Sequence, residues 1–531
     1  MDISKKHILS VFILFSLISS LSGCIFEDIF SGTEFNLQSY EIVDYQGFPA
    51  LNLFFSCDGT VTLKTIDTSS KIIDTDYFFS GDHQTYMMLG EYYSTLDPGT
   101  YNMRVYDKNL NNIYSKSIEV QGSDLLILDC EQNWWEKENF GNKYHLFGLE
   151  IEVKNVGDIP CYPHTIDVYL DSNFISDNIL PTVILSGKSK SIFSPIYQDT
   201  HAQKGDISLN VKDIDNEILA INSFPVDFSK MADVNEFKWS YRGLNVVQIP
   251  YNEYLYNYYI GLERINIEDY SLYVFNTFDE EYIDIINSAL LSSFEDGTDV
   301  EKINFAASFV QHFEYMEDTT ELDYPRYPIE TLFNNGGGGD CEDKAILTAS
   351  ILKNMGFNVS LFRLPDHMAV GVNISSEELS EFDFYLDGYY FLETTTGRNP
   401  CGFIPKEYKD LASEAVVYPI VSRPLLDHVW EDEIITIYKN TEDGDLVKVS
   451  VFVENYGNSK AEDITLEAGF FTLSDQKIAS RQTIISSIEP GMKENAILSV
   501  NIPKGVTTSF KTRILIDGEI IDERESVDTF G

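Results

Sequence analysis

A cysteine reacts when its thiolate is favoured and a proton acceptor stands nearby, and one stretch of this chain is built for the first condition. Asn335-Gly-Gly-Gly-Gly-Asp-Cys-Glu-Asp-Lys-Ala345 is a glycine run that ends on Cys341. Asp340 is placed to cap a helix, with Asp343 three residues on. Behind it Ala345, Leu347, Ala349, Ile351, Leu352 and Met355 supply an apolar face, and Gly356 marks the helix end. Cys341 therefore falls in the first turn, where the helix dipole and free backbone N–H groups favour negative sulfur.

A base and its orienting partner follow at even intervals. His367 lies 26 residues after Cys341, and Glu393 lies 26 after His367. His367 opens a strand, Asp366-His-Met-Ala-Val-Gly-Val372. Glu393 ends the strand that follows a turn at Asp387-Gly388. Neighbouring strands would set imidazole beside carboxylate, both facing the cysteine helix, with the Cys341 N–H as an oxyanion donor. Taken singly, His367 reads as a capping residue, Glu393 as a solvated strand residue and His312 as a surface residue. Taken together, in the order helix, strand, strand, the three make a cysteine–histidine–acid set.

These residues also carry a family likeness. Gly339-Asp-Cys-Glu-Asp-Lys-Ala345, Pro365-Asp-His-Met-Ala-Val-Gly371 and Leu392-Glu-Thr-Thr395 resemble the core motifs of the transglutaminase-like (papain-like) cysteine enzymes, closest to their archaeal extracytoplasmic branch. Tyr324-Pro-Arg-Tyr-Pro-Ile-Glu-Thr-Leu332 resembles that branch as well. The resemblance implies an α+β papain-like core over residues 235–427. It makes Cys341 the nucleophile, His367 the base and Glu393 the orienting acid, where the wider superfamily more often has aspartate. Tyr315 or Tyr327 would support the oxyanion. The implied activity is hydrolysis of a peptide or isopeptide amide through a thioester, with acyl transfer as a variant and no cofactor. The other function carried is a surface adhesion or scaffold protein whose domain binds peptides without turnover.

The elements that must position this set change character along the chain. Residues 35–121 show short alternating runs, such as Ala50–Phe55 and Val61–Ile66, with a terminal hairpin pattern at Leu96–Asp107. Residues 122–228 and 430–528 are copies: Ile151-Glu-Val-Lys-Asn-Val-Gly157 matches Val451-Phe-Val-Glu-Asn-Tyr-Gly457. All three segments are expected to be all-β, immunoglobulin-like sandwiches flanking the central domain. Between the copies Thr277-Phe-Asp-Glu280 and Thr298-Asp-Val-Glu301 read as capping boxes of two helices. They follow an aromatic β-type start at Trp239 and Tyr241 and a tyrosine-rich run at Tyr251–Tyr259, read as packing.

Composition bounds the partners. Against 85 Asp and Glu the 531 residues set 37 Lys and Arg, and a net charge of −48 excludes nucleic-acid binding. The charge by itself identifies no substrate; a protein or peptide substrate is what the resemblance implies. Lys5, Lys6 and His7 precede an apolar run from Ile8 to Leu21, and Leu21-Ser-Gly-Cys24 looks like a lipobox. Residues 1–24 thus read as a lipoprotein signal with Cys24 as the lipidated residue, or as an uncleaved anchor, and 25–34 as a tether. Either reading places the chain outside the cytoplasm on a membrane. The six cysteines form no CxxC pair and no zinc-spaced cluster, and no EF-hand pattern occurs, so no metal site is expected. Cys130 and Cys161 are open between a disulfide and two buried thiols. Cys401 is open between a buried thiol and a regulatory disulfide with Cys341.

Overall fold

A computed structural model describes residues 33–531 apart from 138–142, 180, 201–203, 263, 266–267, 275–279, 293–296, 319–323, 376, 380–383, 431–435 and 442–443. The signal, Cys24, most of the tether and the Thr277 capping box lie outside the described residues.

Alternation of apolar and polar residues becomes paired sheets in three places. Between Phe35 and Val120 a three-stranded and a four-stranded sheet close over Leu51, Leu53, Phe55, Val61, Leu63, Met103 and Val105. Two four-stranded sheets between Leu125 and Met231 share a core of Ile127, Leu149, Ile151, Val168 and Leu209. Two more between Leu426 and Phe530 share Val449, Val451, Leu466 and Phe470.

The sequence copies are copies in hydrogen bonding too. Asn155 is buried; its Nδ2 donates to the carbonyls of Ile159 at 2.7 Å and Ile184 at 2.9 Å, and its Oδ1 accepts the Gly157 N–H at 2.9 Å. Asn455 repeats this with Ser459 at 2.8 Å, Ile488 at 3.0 Å and Gly457 at 3.0 Å. A Cβ on Gly157 or Gly457 would stand 2.6 or 2.3 Å from backbone atoms, so the bend requires glycine. The Asn-x-Gly signature is a side chain that replaces the missing ladder partners of a strand end.

The helices gather between these β units: α1 (Glu253–Ile260), α2 (Glu280–Ser292), α3 (Asp299–Gln311), α4 (Pro328–Phe333) and α5 (Cys341–Asn354). They adjoin an antiparallel sheet formed, in order, by Tyr385–Leu386, Tyr389–Leu392, His367–Asn373, Asn358–Leu364 and Val416–Pro419. The tyrosine-rich run is itself helical, because Asn252 caps α1 by accepting the Leu255 N–H at 3.1 Å. Thr298 and Glu301 form the expected capping box on α3. One apolar cluster joins α5 (Ala345, Leu347, Ile351) to α3 (Phe305, Phe309) and the sheet (Val370, Leu392), and takes in Phe147 and Phe193 of the preceding β unit.

The expected fold class, an α+β papain-like transglutaminase core with three immunoglobulin-like sandwiches, is corrected. Strands hold 53% of the described residues against 15% for helix, so the molecule is a multidomain, predominantly β protein. The helical expectation came from a few strong local signals, caps and one apolar stripe. These specify short helices, whereas alternating runs pervade the whole sequence.

Candidate functional site

Cys341 is the first residue of α5, half-buried, with Asp340 as the N-cap. The Asp340 N–H donates to Asp343 Oδ2 at 3.3 Å. His367 opens its strand after a two-residue turn at Pro365-Asp366, where Asp366 takes φ +57°, a conformation that aspartate tolerates. The register Val370↔Leu392 continues to bring Glu393 diagonally beside His367 on one face. The turn feeding that strand, Asp387-Gly388, has φ +49° and +94°, as a tight hairpin demands.

His367 Nε2 and Glu393 Oε2 are 3.0 Å apart, and both side chains are buried. The other carboxylate oxygen, Oε1, accepts the N–H of Thr394 at 3.1 Å and of Thr395 at 2.7 Å, and the Thr395 hydroxyl at 2.5 Å. Burial pushes Glu393 upward, but the hydrogen bond and charge of His367 and the Thr395 donors outweigh it and leave the acid below its ordinary range. Tyr408 lies flat on the imidazole, with centroids 3.9 Å apart and planes within 3°. Glu393 thus fixes one ring nitrogen and Tyr408 covers one face, leaving Nδ1 and the other face for a reacting group.

The thiol is differently placed from what its helix position alone implies. It donates to Glu342 Oε2 at 3.2 Å. Burial first, then the charge and hydrogen bond of Glu342, push the Cys341 thiol well above its ordinary range, against the Met368 backbone N–H. Burial, and after it the Glu342 carboxylate, thus outweigh the helix dipole at the α5 N-terminus and favour the thiol over the thiolate.

Of the two tyrosines, Tyr315 is at the site. It pairs with Gly339 across a short parallel bridge and is half exposed; burial, then the neighbouring acidic groups Cys341, Asp340 and Glu342, push its phenol up to about 12. Tyr327 instead caps α4 and is buried against Tyr259 and Tyr273. His312 ends α3, its ring 5.9 Å from Trp239 and its Nδ1 against the Phe309 carbonyl. No disulfide joins the five described cysteines, and Cys130, Cys161 and Cys401 are buried.

Several residues at the site carried no readable sequence signal. Gln311, at the end of α3, donates to the Glu393 carbonyl at 2.7 Å. Fully buried Lys344 donates to the carbonyls of Phe313 at 2.9 Å and Thr395 at 3.3 Å, tying α5 to the loop behind Glu393. Glu342 and Lys344 stand inside the cysteine motif itself, but nothing in their spacing tells what their side chains meet. Tyr408 arrives on a separate turn.

No family model matches the chain, and no curated protein matches it. Among similar solved structures are an exo-chitosanase of Amycolatopsis orientalis at 9% identity and TM-score 0.16, covering 90% of this chain and 76% of that one. A β-glucuronidase from glycoside hydrolase family 2 aligns at 10% identity and TM-score 0.17, covering 92% and 75%. A tetra-tandem repeat from the extending region of a large adhesion protein aligns at 9% identity and TM-score 0.16, covering 93% and 98%. None of these is transglutaminase-like. The membership implied by the three motifs is corrected accordingly, and with it go the cysteine peptidase or amidase activity and the peptide-binding adhesion alternative that rested on it. At these TM-scores no sugar chemistry passes to this chain either.

Proposed function

We propose that the central segment carries a histidine-assisted thiol site, in an extracytoplasmic protein tethered to a membrane at its N-terminus, and that its partner is a protein or peptide. Cys341 is the reactive atom, His367 takes and returns its proton, and Glu393 orients the ring. Amide hydrolysis, which followed from the motif resemblance, is not carried forward. The observation that supports the reading best is the His367–Glu393 pair, 3.0 Å long, buried, with three further donors on the acid and Tyr408 on the ring. A carboxylate so heavily committed orients one imidazole and does little else. Location and tether rest on the Ile8–Leu21 run and Cys24; the acidic surface suits a protein partner and repels polyanions.

The reading is tested by alkylating Cys341 in the full chain at neutral pH and repeating the measurement in His367→Ala. Slower labelling of Cys341 in the variant supports histidine assistance. Equal rates in two folded proteins would reduce Cys341 to a structural thiol.

A further inference from the structure

Beside the thiol stands a group of three carboxylates, one of which, Glu342, also accepts from the sulfur. Asp318, Asp340 and Glu342 each bring an oxygen to within 4.8 Å of the other two. Asp340 and Glu342 are each only 7% exposed. Asp318 arrives from the loop after α3, so no sequence-local pattern links it to the other two.

The charge in this cluster is poorly balanced. Arg326 bonds Asp318 Oδ1 at 2.9 Å and also pairs with Asp343. Lys344, next in sequence, points away to the carbonyls of Phe313 and Thr395. One guanidinium thus faces four carboxylates: Asp318, Asp340, Glu342 and Asp343. A separate observation concerns Asp340 alone. Among the described residues no N–H or hydroxyl donates to its buried Oδ1; the residue is more than nine-tenths buried, and its carboxyl lies against those of Glu342 and Asp318. A buried carboxylate oxygen without a donor costs about 1–3 kcal/mol or more, so such atoms are normally satisfied by something.

We propose that Asp318, Asp340 and Glu342 bind a hard divalent cation of the calcium class. Oxygen ligands about 2.4 Å from a common centre lie at most about 4.8 Å apart, and one oxygen from each of the three carboxylates falls within that limit. All-carboxylate donors select calcium over zinc, and a site with three protein carboxylates suits calcium better than magnesium, which keeps most of its waters. The bound ion takes up the free Oδ1 of Asp340 and offsets the charge that Arg326 leaves over. It ties the loop carrying Asp318 to the first turn of α5. The site stands on its own geometry, whether or not Cys341 reacts.

The test is calorimetric titration of the full chain with calcium chloride in 0.15 M salt, repeated on Asp340→Asn and Glu342→Gln, with circular dichroism to confirm that each is folded. A surface this acidic collects calcium diffusely, so the difference between proteins is what counts. The expected result is one saturable site whose affinity falls tenfold or more in both variants, and a calcium-dependent rise in the unfolding midpoint that only the unaltered chain shows. Identical titrations and identical midpoints in all three proteins would overturn the site and leave the cluster held by Arg326 and shared protons. If Asp340→Asn does not fold, Glu342→Gln decides alone, on the same two readouts.

Discussion

Glu393 and Asp340 are both buried acids, and their surroundings push them in opposite directions. Glu393 is held below its ordinary range, so its contribution to stability is present above the unfolded carboxylate pKa and is lost as pH falls through the depressed value. Glu393→Gln should cost about 1.5–3 kcal/mol at pH 7, the worth of hydrogen bonds to a charged group, and the penalty should shrink at low pH. Urea unfolding at pH 7 and at pH 3 measures both. Asp340 is pushed up to about 8, first by burial and then by Glu342, and Asp343 to about 7, first by burial and then by Asp340. Groups raised in this way stabilise the fold at low pH and lose that contribution as pH climbs through 7 and 8. In calcium-free buffer the chain should therefore weaken between about pH 4 and 8 and level off above, and Asp340→Asn should flatten that decline in a thermal-unfolding series. Cys341, His367 and Glu393 were legible because chain order and helix or strand position suffice to suggest them. Tyr408 and Gln311 were not, since each reaches the site from an element with no patterned link to it.

Elements explain why the site is rigid. Lys344 bridges α5 to the loop behind Glu393, and burial lowers its ammonium to about 8. Lys344→Met keeps the volume but strands two buried carbonyls, at about 1–3 kcal/mol for an unsatisfied group, and is expected to loosen the Thr394–Thr395 clamp on Glu393. Hydrogen exchange at those two amides would report it. The duplicated Asn-x-Gly bend makes a paired case: Asn155→Ala and Asn455→Ala each abandon two carbonyls and one N–H. Each should destabilise its own β unit by about 2–4 kcal/mol, readable in denaturant melts. This device was visible in the sequence because the same residue pair recurs in the same frame. The helical turn at Glu253–Ile260 was hidden, because tyrosine-rich runs favour strands and only the Asn252 cap decides otherwise.

At the scale of the whole molecule the first and last β units meet, although the sequence sets them at opposite ends. Lys448 Nζ is buried against Asp76 Oδ2 at 2.7 Å and the Tyr77 carbonyl at 3.1 Å. Tyr45, Phe48 and Met88 pack on Phe452 alongside. Removing one partner of a buried ion pair costs about 3–5 kcal/mol, so Lys448→Ala should split one cooperative unfolding step into two in a calorimetric scan. Nothing in either stretch announces the contact: a lone lysine and a lone aspartate gain meaning only when folding brings them together. The apparent α+β balance failed at this scale too. Strong helix signals sit in one segment, while the strands that dominate the chain are individually faint.

His367 and Glu393 are proposed to act on Cys341, with burial and then Glu342 disfavouring its thiolate at rest. The most direct measurement is the alkylation rate of Cys341 at pH 7 in the unaltered chain, His367→Ala and Glu342→Gln. The expected result is slower labelling without the imidazole and faster labelling without the Glu342 charge, each by about tenfold, equivalent to one pKa unit. Three equal rates would contradict it, leaving Cys341 an ordinary half-buried thiol.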